Sequence, residues 1–123
     1  MKTIFDTLNL PQLREQPALY LGEQDLRSLE VWIYGYMAAC MDAGEEERLN
    51  TPNGIPISLL LDYLAWKEQD ESTGGIAYIM RRAANHSEEE AWKRFFSHLD
   101  AFEALTKQDA WYIKMTGQRT DAT

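Results

Sequence analysis

Asp25-Leu26-Arg27-Ser28-Leu29-Glu30-Val31-Trp32-Ile33-Tyr34-Gly35-Tyr36-Met37-Ala38-Ala39-Cys40-Met41 is the stretch that settles the structural class. Leu26, Leu29, Ile33, Tyr36, Met37 and Cys40 recur at helical spacing, and Trp32 and Met41 widen the stripe. The pattern predicts a central helix covered on more than one side. Asp25 is placed to cap it, because a carboxylate there accepts from the free amides of the first turn. Gly35 lowers helix propensity, and close approach of another backbone is the expected return. Gly44 marks the stop. The apolar run Val31–Met41 is too short to span a bilayer.

The segments on either side extend the helical reading. Upstream, Ile4, Phe5, Leu8 and Leu13 are spaced loosely like a short helix that starts or bends at Pro11. Pro17 holds Gln16 out of the helical region, and Leu19, Tyr20 and Leu21 read as a packed loop closed by Gly22. Downstream, Glu45 to Ile55 reads as a loop with Asn53-Gly54 turn chemistry. Pro56 suits the first turn of a helix carrying Ile57, Leu60, Leu61, Leu64 and Trp66. That helix ends in Lys67-Glu68-Gln69-Asp70-Glu71, which reads as too polar to be buried. Ser72 or Thr73 caps a further helix through Ile76, Ile79, Met80 and Ala83, with Gly74-Gly75 turning the chain into it. Ser87-Glu88-Glu89-Glu90 is a capping-box pattern for a last helix bearing Trp92, Phe95, Phe96, Leu99 and Phe102. The prediction is an all-α, compact single-domain bundle of about five helices over residues 1–115, with 116–123 as a flexible tail and no strand.

Composition narrows the function. The 123 residues are 45% hydrophobic and 26% charged, an ordinary globular balance. The net charge is -8, which disfavours nucleic acid and anionic lipid as partners, since both require a basic face. An acidic surface keeps a chain soluble and speeds encounter with a basic protein. Cys40 is the single cysteine, so no internal disulfide forms. With no signal-peptide layout after Met1, the expected compartment is the cytoplasm.

Chemistry is harder to assemble. His86 and His98 lack a second ligand at metal-binding spacing, and no metal or other cofactor is implied. His86 reads as a turn residue. His98, near Asp100, reads as a boundary residue with scope for a pH-sensitive contact. Cys40 falls among apolar positions, where packing rather than nucleophilic reactivity is the ordinary role. No nucleophile elbow, phosphate-cradling loop or calcium loop is present, and no catalytic residue is assigned.

Pro17-Ala18-Leu19-Tyr20-Leu21-Gly22, Gly35-Tyr36, Ser72-Thr73-Gly74-Gly75 and Phe95-Phe96-Ser97-His98-Leu99-Asp100-Ala101-Phe102 occur in this order over roughly residues 10 to 103. The ordered set resembles a family of small bacterial proteins that open with an Arg-Pro-x-Met/Leu-Tyr-Leu-Gly motif. Gln16 stands where that motif has arginine, and Gly75-Ile76 replaces a bulkier Gly-Trp-like step. A recognition contact made by that arginine would be missing here. The resemblance implies a protein like the immunity partners of secreted bacterial toxins, and structural roles for Pro17, Tyr20, Leu21, Gly22, Gly35, Tyr36, Thr73 and Gly75. The expected partner is a cognate toxin with a basic surface, met by Glu45, Glu46, Glu47, Asp70 and Glu71 as steering charges and Trp66 as an anchor. Trp111 and Tyr112, like Trp66, adjoin polar segments in the manner of a binding hot spot, but a tail folded onto the core also uses them and is the preferred reading. The alternative is a small-ligand module or helical enzyme with its pocket between the Tyr20 loop and the central helix.

Overall fold

A computed structural model describes residues 2–22, 25–70, 74–112 and 114–115. The fold is all-α, with no strand among the described residues. Two compact units divide the chain, Met1–Pro56 and Ile57–Thr123. The tail 116–123, together with Glu71, Ser72 and Thr73, lies outside the described residues.

In the first unit, three short helices precede a long one. These are α1 (Ile4–Leu8), α2 (Pro11–Glu15), α3 (Ala18–Leu21) and α4 (Leu26–Asp42). Thr3 and Asp6 form a reciprocal capping box on α1, with the Thr3 amide donating to Asp6 Oδ2 at 2.8 Å. Pro11 opens α2, where its missing N–H costs nothing. Arg14 reaches back to Asn9 Oδ1 at 2.6 Å and so ties α2 to the end of α1. The expected packed loop at Leu19–Leu21 is instead one helical turn, α3, and Leu19 is largely exposed. Pro17 sits in the right-handed helical region and supplies an accepting carbonyl to Leu21 N at 2.8 Å, which lets the turn close. Gly22 then stops it at φ 78°.

Asp25 caps α4, accepting from Ser28 N at 2.7 Å. Leu26, Leu29, Ile33 and Cys40 are buried along one stripe. At the far end Glu45 N bonds Cys40 O and Gly44 N bonds Met41 O, a Schellman stop with Gly44 at φ 71°. A 3₁₀ turn (Glu46–Leu49) follows and packs against α4 and α1 through buried Leu49. Thr51 then closes a tight loop, donating N–H to Ile55 O at 2.8 Å and accepting Ile55 N–H on Oγ1 at 3.1 Å.

The second unit is three mutually packed helices, α5 (Ile57–Glu68), α6 (Ile76–Ala83) and α7 (Glu88–Thr106). Its core joins Leu60, Tyr63 and Leu64 of α5, Ile76 and Met80 of α6, and Phe95, Phe96, Leu99 and Phe102 of α7. Tyr63 meets Phe102 with ring centres 5.5 Å apart, and Phe95 meets Phe96 edge-on at 5.0 Å. Ser87 caps α7, its hydroxyl accepting from Glu90 N at 3.2 Å. Gly75, not a hydroxyl residue, is the cap of α6, at φ 91° and ψ 178°. No helix of the described residues is long and apolar enough to cross a membrane.

Candidate functional site

Two surface features emerge, one in each unit. In the second unit, α5 ends at Glu68 just where α7 presents Arg94 and His98, four residues apart and therefore on one helix face. Arg94 donates twice to Glu68, Nε to Oε1 at 2.8 Å and Nη2 to Oε2 at 2.9 Å. His98 Nε2 lies 2.5 Å from the same Oε1. The Glu68 side chain is only 6% exposed. Burial alone would push its carboxyl up, but hydrogen bonds from Arg94 and His98 and their charges outweigh that and hold it below its ordinary value. An ionised Glu68 can only accept, so His98 Nε2 must carry the shared proton. Nδ1 is then the uncommitted ring nitrogen, with no bond to it among the described residues. An open groove of about 610 Å³ runs along this side of α7, lined by Asn85, Lys93, Arg94, Ser97 and His98 among others. Its far wall is the turn after α6, where Asn85 and His86 take positive φ of 55° and 68°.

Nothing local in the sequence marks Glu68 for this cluster: it lies in a polar run that reads as solvated, and Asp100 is the acidic residue nearest His98 along the chain. Glu68 is buried because Arg94 neutralises it and both Arg94 and His98 bond it, which makes the burial of a carboxylate tolerable. The four-residue spacing of Arg94 and His98 was the available signal; the partner 30 positions away from His98 carried none.

In the first unit, α4 buries Leu26, Leu29, Ile33 and Cys40 as expected, but Met41, expected to widen that stripe, is 59% exposed. Val31 at 60% and Tyr34 at 46% exposure share its side, so the helix has one buried stripe and one bare apolar one. A Cβ added at Gly35 would meet nothing within 4 Å among the described residues, so none of their backbones makes the close approach expected there. Burial, with the charge of Glu30, raises the Tyr34 phenol above its usual value. Tyr36 is half-buried with its ring 5.3 Å from that of Trp32.

The predicted steering charges divide between the units. Glu45 is paired with Arg48 at 2.9 Å. Glu46 and Glu47 are exposed on the 3₁₀ turn and make no ion pair among the described residues. Asp70 is only 12% exposed and lies 3.6 Å from Arg82, so it projects little charge outward. Trp66 is half-buried on α5. Of the motif residues, Gly22 and Gly75 serve backbone geometry that other residues resist. Pro17 is buried and Leu21 half-buried, while the Tyr20 side chain lies outside what is described. No group of three or more His, Cys, Asp or Glu that could hold a metal ion occurs among the described residues.

No family model, curated protein or solved structure matches the chain.

Proposed function

We propose that this is an immunity-type interaction protein, which neutralises a cognate bacterial toxin by covering its active or substrate-binding surface. The observation that carries this reading is the uncompensated acidic edge of the first unit. Glu46 and Glu47 are exposed and unpaired among the described residues, on a turn anchored by buried Leu49. The first 56 residues hold nine acidic and four basic side chains. A rigidly mounted excess of negative charge speeds capture of a basic surface without ordering cost. The resemblance of the ordered motifs to immunity-like proteins supports the same conclusion. Such a role places the chain in the cytoplasm, where the producing cell needs protection.

Affinity capture from the native host, followed by stopped-flow association with the captured toxin, tests this. The reading expects a basic toxin whose association rate falls steeply with salt. Recovery of chaperones alone, or an association rate indifferent to salt, would reject it.

A second reading, a small-ligand module or enzyme, is favoured by one specific observation. His98 is oriented by Glu68 through Nε2 and lines an open groove, the arrangement in which a ring nitrogen can accept a proton or hydrogen bond from a ligand. A metabolite that raises the melting temperature of the wild type but not of His98→Gln supports it; no stabilisation across a metabolite screen removes it.

A further inference from the structure

We infer that α4 is a seam for self-association, in which the helix pairs antiparallel with the α4 of a second copy of this chain. The exposed residues Arg27, Val31, Tyr34, Ala38 and Met41 fall three or four apart, so they form one continuous strip on the helix, flanked by Gly35 and Asp42. Three independent features of that strip fit its own antiparallel copy.

The first is steric. With the twofold axis between Tyr34 and Gly35, the ring of Tyr34 faces the bare Gly35 of the other copy, and Val31 faces Ala38. Large side chains then oppose small ones along the seam. A Cβ at Gly35 would meet no described residue within 4 Å, which leaves room there to receive a ring.

The second is charge. The same register sets Arg27 of each copy against Asp42 of the other. Both side chains are exposed, and neither makes an ion pair among the described residues. A pair repeated at both ends of an isologous interface fixes register as well as adding attraction.

The third is the helix dipole. Within one chain Arg27 sits in the first turn and Asp42 at the last residue, each at the end where its charge is disfavoured. Against an antiparallel copy, Asp42 comes to the partner's N-terminal end and Arg27 to its C-terminal end, where each charge is favoured. The placement that is poor for a lone helix is good for the pair.

A single helix of 17 residues offers a small seam, so association is concentration-dependent rather than obligate. It is separate from the toxin reading: self-association without protection, or protection by a strict monomer, distinguishes the two.

Sedimentation velocity of the full chain over a range of concentrations is the test. The mass is expected to climb from 14.2 kDa toward twice that value. Arg27→Glu or Asp42→Arg alone should weaken association about tenfold, since each turns two attractive pairs into repulsive ones. Arg27→Glu with Asp42→Arg in the same chain should recover most of it, short of wild type because each swapped charge then meets the unfavourable end of the partner's helix; in a parallel pairing, where like faces like, neither single reversal would weaken association. Gly35→Leu should weaken association while leaving the helix content and melting of the monomer intact or improved. A chain that stays monomeric throughout, including one whose α4 binds only a different protein, overturns the inference. So does self-association that ignores all four variants.

Discussion

His98 Nε2 and Glu68 Oε1 lie 2.5 Å apart, and Arg94 grips the same carboxylate through two further bonds. One buried anion therefore joins the end of α5 to the middle of α7 with three directed contacts. The folded chain depresses the pKa of Glu68, so its stabilisation is fully present above the ordinary value of 4.5 and disappears as pH falls through the lowered one. Glu68→Gln should cost about 1–2 kcal/mol at neutral pH, less than a fully buried pair because Arg94 is half-exposed and water screens it. The difference should shrink as the pH drops below 4.5. Urea unfolding of both proteins across that window measures it. A constant difference would contradict the assignment.

Gly75 has φ 91° and ψ 178°, a region that is nearly exclusive to glycine. Gly75→Ala should therefore destabilise by about 1–3 kcal/mol. Gly75→Asn should not rescue, because asparagine tolerates the left-handed helical region rather than this one. Beside it, a Cβ at Gly74 would meet Tyr78 Cδ1 at 2.5 Å and Cγ at 2.6 Å, so Gly74→Ala should also lose stability. Thermal melts of the three variants give the order.

Gly35 behaves in the opposite way. It lies inside α4 with no neighbour to crowd among the described residues. In dilute solution Gly35→Ala should stabilise by about 0.5–1 kcal/mol through helix propensity alone. Chemical denaturation at low protein concentration reads this, and a loss of stability would show that a neighbour does approach there.

Asp25 and Ser87 cap the two longest helices. Asp25→Ala and Ser87→Ala should each cost about 1 kcal/mol, and Asp25→Asn should cost less than Asp25→Ala because the amide oxygen still accepts. Equilibrium unfolding of the set tests it; identical losses for Asp25→Asn and Asp25→Ala would argue that charge at the helix start, rather than the bond, is what matters.

Local signals in the sequence located most of the helices and missed what depends on distant partners. The spacing of Trp92, Phe95, Phe96, Leu99 and Phe102 marked the buried face of α7, because large apolar side chains at helical intervals have one favourable place to go. Asp25 and Ser87 were legible as caps for the same local reason. Tyr63 carries no local signal for its place in the core, since a phenol has no fixed burial preference until Phe102 is beside it. Periodicity marks Leu26, Leu29, Ile33 and Cys40 for burial and they are buried, yet Met41, which widens the same stripe, is bare. An apolar pattern reports which face could be buried, not whether anything covers it. Glu68 was illegible as a buried anion because its two partners lie 26 and 30 residues along the chain.

Protection in living cells bears most directly on the central claim. Cells producing the captured toxin should resume growth when they also produce this chain, and should fail to do so when it carries Glu46→Lys and Glu47→Lys at equal abundance and unchanged melting temperature. Growth arrest in the presence of the wild-type chain, or equal rescue by the charge-reversed one, would contradict the account.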